Sequence, residues 1–270
     1  MTRPARYAGS WYPADPETLR SAVEGYIAAG GPAAPALGLM VPHAGYIYSG
    51  RVAGIGYAAV EVPASVVVLA PKHHPAGPPV SVWDGGGWQT PLGEVPIDEA
   101  LRDAVLADCG EAVGDRLAHS NEHSLELQLP FLKVRRPDLR IVPIAVGTRD
   151  AEALRALGEA CAKAIGQSAE GGVGLVVASS DMSHYVSAAE AKEKDSLALE
   201  RLIALDPEGL LDVVEREGIS MCGVAPAAAM LFAARALGAG AAEVVAYATS
   251  GDVTGDRDEV VGYAAAAVRP

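Results

Sequence analysis

The sequence is poor in phenylalanine, cysteine and basic residues, and each scarcity excludes a class of protein. Only 2 Phe and 3 Cys occur among 270 residues, and 21 Lys and Arg stand against 34 Asp and Glu, for a net charge of −13. Three cysteines are too few for a disulfide framework, which favours a reducing compartment. The acidic balance disfavours nucleic acid and anionic membrane surfaces, because both require clustered cations.

Long apolar runs are also missing, although 50% of the residues are hydrophobic. No run approaches the ~18 residues that a membrane-spanning helix needs. The opening MTRPARYAGSWYPADPETL contains no apolar core of a secretory signal, so we expect a cytoplasmic protein. Neither a linker-like stretch nor an internal repeat divides the chain, and the sequence therefore predicts a single domain over residues 1–270.

Short β-branched runs alternate with Ala- and Leu-rich segments of helical period. The runs are continuously apolar, which is typical of strands buried on both faces. Alternating strands and helices predict right-handed crossovers, and so an α/β domain of three layers, α/β/α, with a mostly parallel central sheet and an antiparallel edge. The predicted strands are 36–41, 65–70, 140–146, 174–179, 243–249 and 260–268, and the predicted helices are 15–30, 50–60, 97–108, 120–134, 150–167, 187–203, 206–216 and 224–237.

Four of the 6 histidines follow predicted buried strands. His43 follows ALGLMVP, His73 and His74 follow SVVVLAPK, and His184 follows GLVVASSDMS. Because open α/β sheets bind ligands at the carboxyl ends of their strands, we expect these imidazoles to converge. Any one of them alone is more often a hydrogen-bonded structural residue, but their shared position favours a metal or catalytic site.

Cys222 lies in GISMCGVAPAAAM, directly before a predicted helix that starts near Val224. A thiol at a helix N-terminus has a lowered pKa and can bind a metal or attack an electrophile. The alternative is a small buried hydrophobe, which is how we interpret Cys109 and Cys161.

Two pairs of titratable residues are spaced by three positions. Asp181 and His184 in SSDMSHY would share one face of a turn, where the carboxylate would fix the tautomer of the imidazole, although Asp181 would also suit a helix cap. His123 and Glu126 in HSNEHSLELQLPFL have the same spacing. There the spacing alone favours the start of an amphipathic helix, which Pro130 would end or kink.

Seven ordered blocks of this sequence resemble the Memo family, which in prokaryotes is also called AmmeMemoRadiSam system protein B. The blocks are RYAGSWYP, PHAGYIYSG, LAPKHH, EHSLELQLPFL, SSDMSHY, MCGVAP and YATSGDVTGD, and the resemblance extends from Arg6 to Val268. It implies a fold similar to that of class III extradiol dioxygenases, which open catechol rings with non-haem iron. It also implies that the protein works beside a radical-SAM protein and a third small protein in a modification system.

The same resemblance implies a metal pocket. Its ligands would be His43 of PHAGY, His74 as the second histidine of KHH, and Cys222 of MCG. His184 would match the acid/base histidine of the dioxygenases, with Asp181 beside it. The implied metal is Fe(II), with Cu or Zn as alternatives.

Two departures from the dioxygenase pattern bear on function. Lys72 precedes the histidine pair, where a small or amide residue is common, and its cation would repel a metal dication or attract an anionic ligand. The third ligand would be a thiolate rather than the carboxylate of a two-His-one-carboxylate site, and soft sulfur favours Cu(I), Zn or an electron-rich iron. We therefore do not extend the ring-cleaving activity of the dioxygenases to this protein. The residues expected around the ligands are His73, His123, Glu126, Tyr46 and Lys72.

These residues support hypotheses of different classes. The first is a non-haem Fe(II)-dependent oxidative enzyme in which His184 moves protons. The second is a protein without turnover that binds copper or iron, or binds a partner protein. Under both hypotheses the sequence does not identify the small-molecule or peptide ligand. Two further hypotheses have less support: a phosphopeptide pocket that depends on Lys72, and a cysteine hydrolase that uses Cys222 with His184 and Asp181.

Overall fold

A mixed β-sheet forms the centre of the computed structural model, which describes residues 1–167 and 174–270. Its inner strands are continuous runs of apolar, largely β-branched residues, because both faces of the sheet are covered. Within the described residues its strands are β1 Gly38–Val41, β2 Ser65–Pro71, β3 Val80–Trp83, β6 Ala112–Asp115, β7 Arg140–Val146, β8 Leu175–Ser179, β9 His184–Val186, β10 Ala241–Thr249 and β11 Val260–Arg269. A separate hairpin contains β4 Trp88–Thr90 and β5 Gly93–Val95.

The strand order is β10-β11-β1-β8-β2-β7-β3-β6, and β9 pairs with β11. The inner strands β1, β8, β2 and β7 are mutually parallel. On one side β11 runs antiparallel to β1 and β10 antiparallel to β11, and on the other side β3 runs antiparallel to β7. The predicted parallel centre with an antiparallel edge is confirmed, and all four inner strands end at the same edge.

Helices cover both faces of the sheet, which confirms the predicted three layers. One face carries α3, α5, α6, α7 and α8, and the other carries α1, α2 and α4. No helix among residues 1–167 and 174–270 combines the length and apolar character needed to cross a membrane. The helices are α1 Pro16–Ile27, α2 Tyr46–Ala59, α3 Glu99–Asp108, α4 Leu129–Arg135, α5 Ala151–Gly166, α6 Ala188–Ile203, α7 Pro207–Arg216, α8 Val224–Ala236 and α9 Gly251–Thr254.

Side-chain alternation along the inner strands builds two hydrophobic cores. In β2, Val67 and Leu69 pack into the core shared with α5 and α8, while Val66 and Val68 pack into the core shared with α2 and α4. All four of these side chains are fully buried. The sheet is therefore held rigidly from both sides, and so are the loops at its carboxyl edge.

One predicted helix is wrong in extent. The segment predicted as a helix over 120–134 is a loop up to a short 3-10 turn, Glu126–Gln128, and α4 begins only at Leu129. Pro130 lies in the first turn of α4, where the missing N–H costs nothing, so it starts the helix rather than ending it. The short strands β3, β4, β5, β6 and β9 were not predicted.

The segment from Arg3 to Tyr12 is anchored on Glu126. The fully buried Glu126 carboxylate pairs with the guanidinium of Arg3 and accepts hydrogen bonds from the backbone N–H groups of Arg6 at 3.2 Å and Tyr7 at 2.9 Å. The Tyr12 hydroxyl donates to it at 2.8 Å. Glu126, expected near the metal ligands, instead fastens the N-terminal segment to the body of the protein.

Replacing Glu126 by Ala is predicted to destabilise the fold strongly, because Arg3 is only 2% exposed and would keep an unpaired buried charge. Loss of one partner of such a pair costs about 3–5 kcal/mol in the free energy of unfolding, measured by urea denaturation. Glu24→Ala is the matched control, since Glu24 is 57% exposed and lies 3.9 Å from Arg20, and its loss should cost less than about 1 kcal/mol. Equal losses for the two variants would contradict the anchoring role of Glu126.

His119 is a buried histidine outside the carboxyl edge of the sheet. Its Nε2 lies 3.1 Å from the carbonyl oxygen of Ser81, which can only accept, so Nε2 carries the proton. The rings of Trp83 and Trp88 pack edge-on against it, and Nδ1 has no hydrogen-bond partner within the described part of the chain. Burial lowers the pKa of His119 from 6.5 to about 4, so the folded state keeps it neutral.

Acid is therefore predicted to destabilise the fold through His119. The unfolded chain binds a proton at this residue below pH 6.5 and the folded chain does so only near pH 4, so stability falls as pH drops through this window. Between pH 7 and 5 the loss through His119 is about 2 kcal/mol. Urea unfolding of the wild type and His119→Gln at both pH values measures it. The variant should lose less stability on acidification, and equal losses would show that His119 is not responsible.

Candidate metal site

Three strands deliver functional side chains to one edge of the sheet. β1 ends at Val41 and leads to His43, and β2 ends at Pro71 and leads to His73. β8 ends at Ser179 and leads to Asp181. Because these parallel strands are neighbours through β8, the loops after them meet, and the ring centroids of His43 and His73 are 5.3 Å apart.

His43, His73 and Cys222 form a cluster that could hold a metal ion. One ligand atom from each of the three lies within 4.8 Å of the others, and Nε2 of His43 is 3.3 Å from Sγ of Cys222. Ligand atoms of one ion with bonds of 2.0–2.3 Å are at most about 4.6 Å apart, so a small adjustment brings all three onto one ion. The His43 side chain is buried, whereas the His73 side chain is 29% exposed, so the cluster can be reached from solvent.

His43 is held from behind by a serine. Its Nδ1 lies 2.8 Å from the hydroxyl oxygen of Ser179, and its backbone N–H donates to the carboxylate of Asp181 at 2.7 Å. Burial, and secondarily the neighbouring His73, lowers the pKa of His43 to about 3. A neutral imidazole with Nδ1 occupied can offer the lone pair of Nε2 to a metal.

His73 is held by the buried carboxylate of Glu122. Glu122 accepts from the backbone N–H of His73 at 2.8 Å and from its Nδ1 at 2.8 Å, which leaves Nε2 of His73 for a metal. Ser124 donates to the same carboxylate through its N–H and its hydroxyl. Burial alone would raise the pKa of Glu122, but the hydrogen bonds and charge of His73 and the bonds from Ser124 lower it.

The structure places the two histidines after β2 differently from the expectation. The resemblance implied His74 as the ligand, but the cluster contains His73, and His74 is exposed and belongs to no ligand group within the described residues. The physical reason is Glu122, which accepts hydrogen bonds from both the backbone N–H and the ring Nδ1 of His73. These bonds orient the His73 ring, and not the His74 ring, toward His43.

The thiol of Cys222 also differs from expectation. It lies just before α8, but burial, followed by the negative charge of Asp181, raises its pKa instead of lowering it. The Asp181 backbone N–H donates to Sγ at 3.3 Å, which is too little to offset this. Without a metal the thiol therefore keeps its proton, and its ring partner is His43 rather than the His184 of a hydrolase pair.

His184 is oriented by Ser220, and not by Asp181 as the spacing suggested. The His184 backbone N–H donates to the Ser220 hydroxyl at 2.7 Å, and Nδ1 lies 2.9 Å from the Ser220 carbonyl oxygen. Because a carbonyl only accepts, Nδ1 is protonated and Nε2 carries the lone pair. Asp181 instead supports the backbone of His43, and burial raises its pKa.

His123 forms a second layer over the cluster. Its ring stacks on His73 with centroids 4.6 Å apart and lies 4.3 Å from the indole of Trp11. Burial, then the charge of His43, lowers the pKa of His123 to about 3. With His73 and Glu122 it forms a second group of metal-ligand type, but the carboxylate there is already saturated by hydrogen bonds.

Two other residues expected at the site lie elsewhere. Tyr46 is 4% exposed, donates its hydroxyl to the Leu127 carbonyl at 2.6 Å and packs against Phe131, so it belongs to the core. The Lys72 ammonium donates to the carbonyl oxygens of Gly77 at 2.6 Å and Pro78 at 3.1 Å. It closes its own loop, which removes the observation behind a phosphopeptide pocket.

A cavity of about 480 Å³ opens beside the cluster. It connects to the site at three points: Trp11 touches His123, Ala44 follows His43, and Val261 pairs with His184 across β11 and β9. The lining is mostly apolar, so the cavity suits the body of an organic ligand. Its walls are Ser10, Trp11, Ala44, Gly45, Ile47, Tyr48, Ser250, Thr254, Val261 and Tyr263.

Sequence reasoning missed the residues that orient the imidazoles, namely Glu122, Ser179 and Ser220. A signal existed for the first, because Glu122 directly precedes His123 in a segment dense in polar residues before an apolar run. Ser179 and Ser220 carry no distinguishing pattern, since serines are common at strand ends and in loops.

A family model and relatives of similar sequence point to one family. The family model described as Memo-like protein matches residues 3–267. A MEMO1 family protein of Methanopyrus kandleri is 41% identical over 284 residues, covering 100% of this chain and 99% of its own, and one of Aquifex aeolicus is 40% identical over 260 residues, covering 95% of each. A crystal structure of an uncharacterized Escherichia coli K12 protein aligns with a TM-score of 0.47 at 15% identity, covering 84% of this chain and 98% of that one. The chain belongs to the Memo-like protein family.

Proposed function

We propose that the protein binds one redox-active transition-metal ion through Nε2 of His43, Nε2 of His73 and Sγ of Cys222, and that it is a non-haem Fe(II)-dependent oxidative enzyme. The observation that carries the proposal is the cluster itself, whose three ligand atoms lie within 4.8 Å of one another. Nδ1 of His73 is bonded to the Glu122 carboxylate and Nδ1 of His43 to the Ser179 hydroxyl, which leaves Nε2 of each ring for the metal.

Three protein ligands leave positions open on a metal ion, where it would bind and activate O₂ and a substrate. The chain supplies the rest of the environment. The mostly apolar cavity would hold the body of the substrate, and Trp11, which lines the cavity, packs against His123. The substrate is therefore a small organic molecule, or one side chain of a peptide, of a size that fits about 480 Å³.

His184 is the proton carrier in this proposal. Its Nε2 has the free lone pair, while the Ser220 carbonyl accepts from Nδ1–H at 2.9 Å and would stabilise the positive ring after Nε2 takes a proton. The buried Asp181 acts electrostatically on the same ring. His184 is partly exposed, so the proton can pass on to solvent.

A metal-binding protein without turnover is the second candidate, and the thiol favours it. A carboxylate in place of Cys222 would be typical of O₂-activating iron sites, whereas two imidazoles and a thiolate also suit Cu(I) or Zn. Tight one-to-one Cu(I) binding by the wild type, lost in Cys222→Ser and accompanied by no O₂ consumption, would support this candidate over the oxidative enzyme.

The ligand set predicts different outcomes for two adjacent substitutions. Anaerobic Fe(II) titration followed by elemental analysis should give one equivalent for the wild type. His73→Ala should bind markedly less, because its Nε2 lies in the cluster. His74→Ala should bind one equivalent, because the exposed His74 lies outside the cluster, and it is thus the matched control. Loss of iron in His74→Ala with retention in His73→Ala would overturn this ligand set.

His184→Gln is predicted to separate metal binding from chemistry. Metal content should be unchanged, since His184 is outside the cluster, while the rate of O₂ consumption by the iron-loaded protein with a panel of catechols should fall by about 10²–10⁴-fold. Tyr185→Phe is the control, because Tyr185 is 76% exposed next to His184 and should leave the rate unchanged. A full rate in His184→Gln would remove its proton-carrying role. Absence of O₂ consumption by the wild type across the panel would favour the second candidate.

A further inference from the structure

Gln128 is a fully buried amide that joins three of the loops around the cluster. Its Nε2 lies 2.8 Å from the hydroxyl oxygen of Ser179, 3.1 Å from the carbonyl of Pro42 and 3.3 Å from the carbonyl of Ser124. At the other end of the amide, Oε1 accepts from the Tyr57 hydroxyl at 3.1 Å. Because two of the three groups facing Nε2 are carbonyls, which only accept, the orientation of the amide is determined.

The Ser179 hydroxyl therefore sits among three partners, two of which have a fixed role. Gln128 Nε2 can only donate to it, and the Ser124 carbonyl, 2.8 Å away, can only accept from it. A hydroxyl has one proton and two lone pairs, so its proton goes to Ser124 and one lone pair goes to Gln128. The third partner, Nδ1 of His43 at 2.8 Å, must then be a donor.

We infer that Gln128, acting through Ser179, is a positioning residue that fixes His43 as the Nδ1–H tautomer and so directs the lone pair of Nε2 toward Cys222. The tautomer is a property of the metal-free protein; its use in presenting a ligand rests on the proposed function. Neither residue touches the ion or a substrate. Through two hydrogen bonds that share the Ser179 hydroxyl oxygen, Gln128 helps to determine which nitrogen of His43 keeps its proton.

The two imidazoles of the cluster are thus oriented by different means. Nδ1 of His73 is bonded to a charged group, the Glu122 carboxylate. Nδ1 of His43 is bonded to the uncharged Ser179 hydroxyl, which is bonded in turn to the uncharged Gln128 amide. At the buried His43, the uncharged relay of Gln128 and Ser179 fixes the tautomer without adding a further negative charge to those of Glu122 and Asp181 near the thiol. This arrangement makes the relay specific for orientation, because it contributes no net charge to ligand binding.

The test measures tautomers and metal affinity separately. Long-range ¹H–¹⁵N correlation spectra of the chelator-treated protein, labelled with ¹⁵N-histidine, should show His43 as Nδ1–H in the wild type. Ser179→Ala removes the acceptor and Gln128→Met removes the amide at similar volume, and both should move His43 toward the Nε2–H form. Both should also weaken Fe(II) binding by about 10- to 100-fold in anaerobic titration.

Tyr57→Phe is the matched control. It removes a hydrogen bond from the opposite end of the same amide, at Oε1, and should leave the tautomer of His43 and the Fe(II) affinity at wild-type values. Circular dichroism of each variant confirms that it is folded, and the two independent substitutions at 128 and 179 keep the test decisive if one fails to fold.

Two results would overturn the inference: His43 as Nε2–H in the wild type, or an unchanged Nδ1–H form in both Ser179→Ala and Gln128→Met. Failure of the proposed function would look different. If His43 is Nδ1–H in the wild type and both variants lose that form, the role of Gln128 and Ser179 is supported. If the same wild type binds no metal, the proposed metal binding is contradicted.

Discussion

The candidate site depends on hydrogen bonds made behind its imidazoles, at Nδ1. Ser179, Glu122 and the Ser220 carbonyl each occupy the Nδ1 of a different histidine, so in all three rings the lone pair lies on Nε2. An imidazole free to rotate or to exchange tautomers would present a lone pair in the right direction only part of the time. Folding instead fixes the three acceptors before any ligand arrives, with Ser179 and Glu122 buried and Ser220 exposed.

Electrostatics around the cluster set conditions on what it can bind. The Glu122 carboxylate stays ionised in spite of its burial, while burial keeps Cys222 protonated and His43 neutral. A dication entering the cluster would compensate the carboxylate charge and replace the thiol proton, so metal binding and proton release are coupled. The adjoining cavity is mostly apolar, which suits it to an uncharged ligand body.

The sheet and the convergence of loops could be predicted from sequence, because continuous apolar runs specify buried parallel strands and such strands end at a common edge. The short strands β3 to β6 and β9 could not, since three or four residues give no clear period. At the site, His43 and Cys222 stood out by position, but the choice between His73 and His74 depends on Glu122, which is 49 residues away. Contacts over such distances in sequence leave no local pattern, and the same holds for Gln128.

The cluster also joins distant parts of the chain. His43 and Cys222 are separated by 179 positions, and the Arg3 contact that helps to fasten the wall of the cavity spans 123. Closing loops of this length costs conformational entropy, which is offset only by the burial of apolar surface in the completed sheet and its two cores. The site is therefore complete only when the sheet and both cores are formed. An ion would therefore find the three ligand atoms of the cluster close together only in the folded protein, so binding of an ion would stabilise the folded state over the unfolded chain.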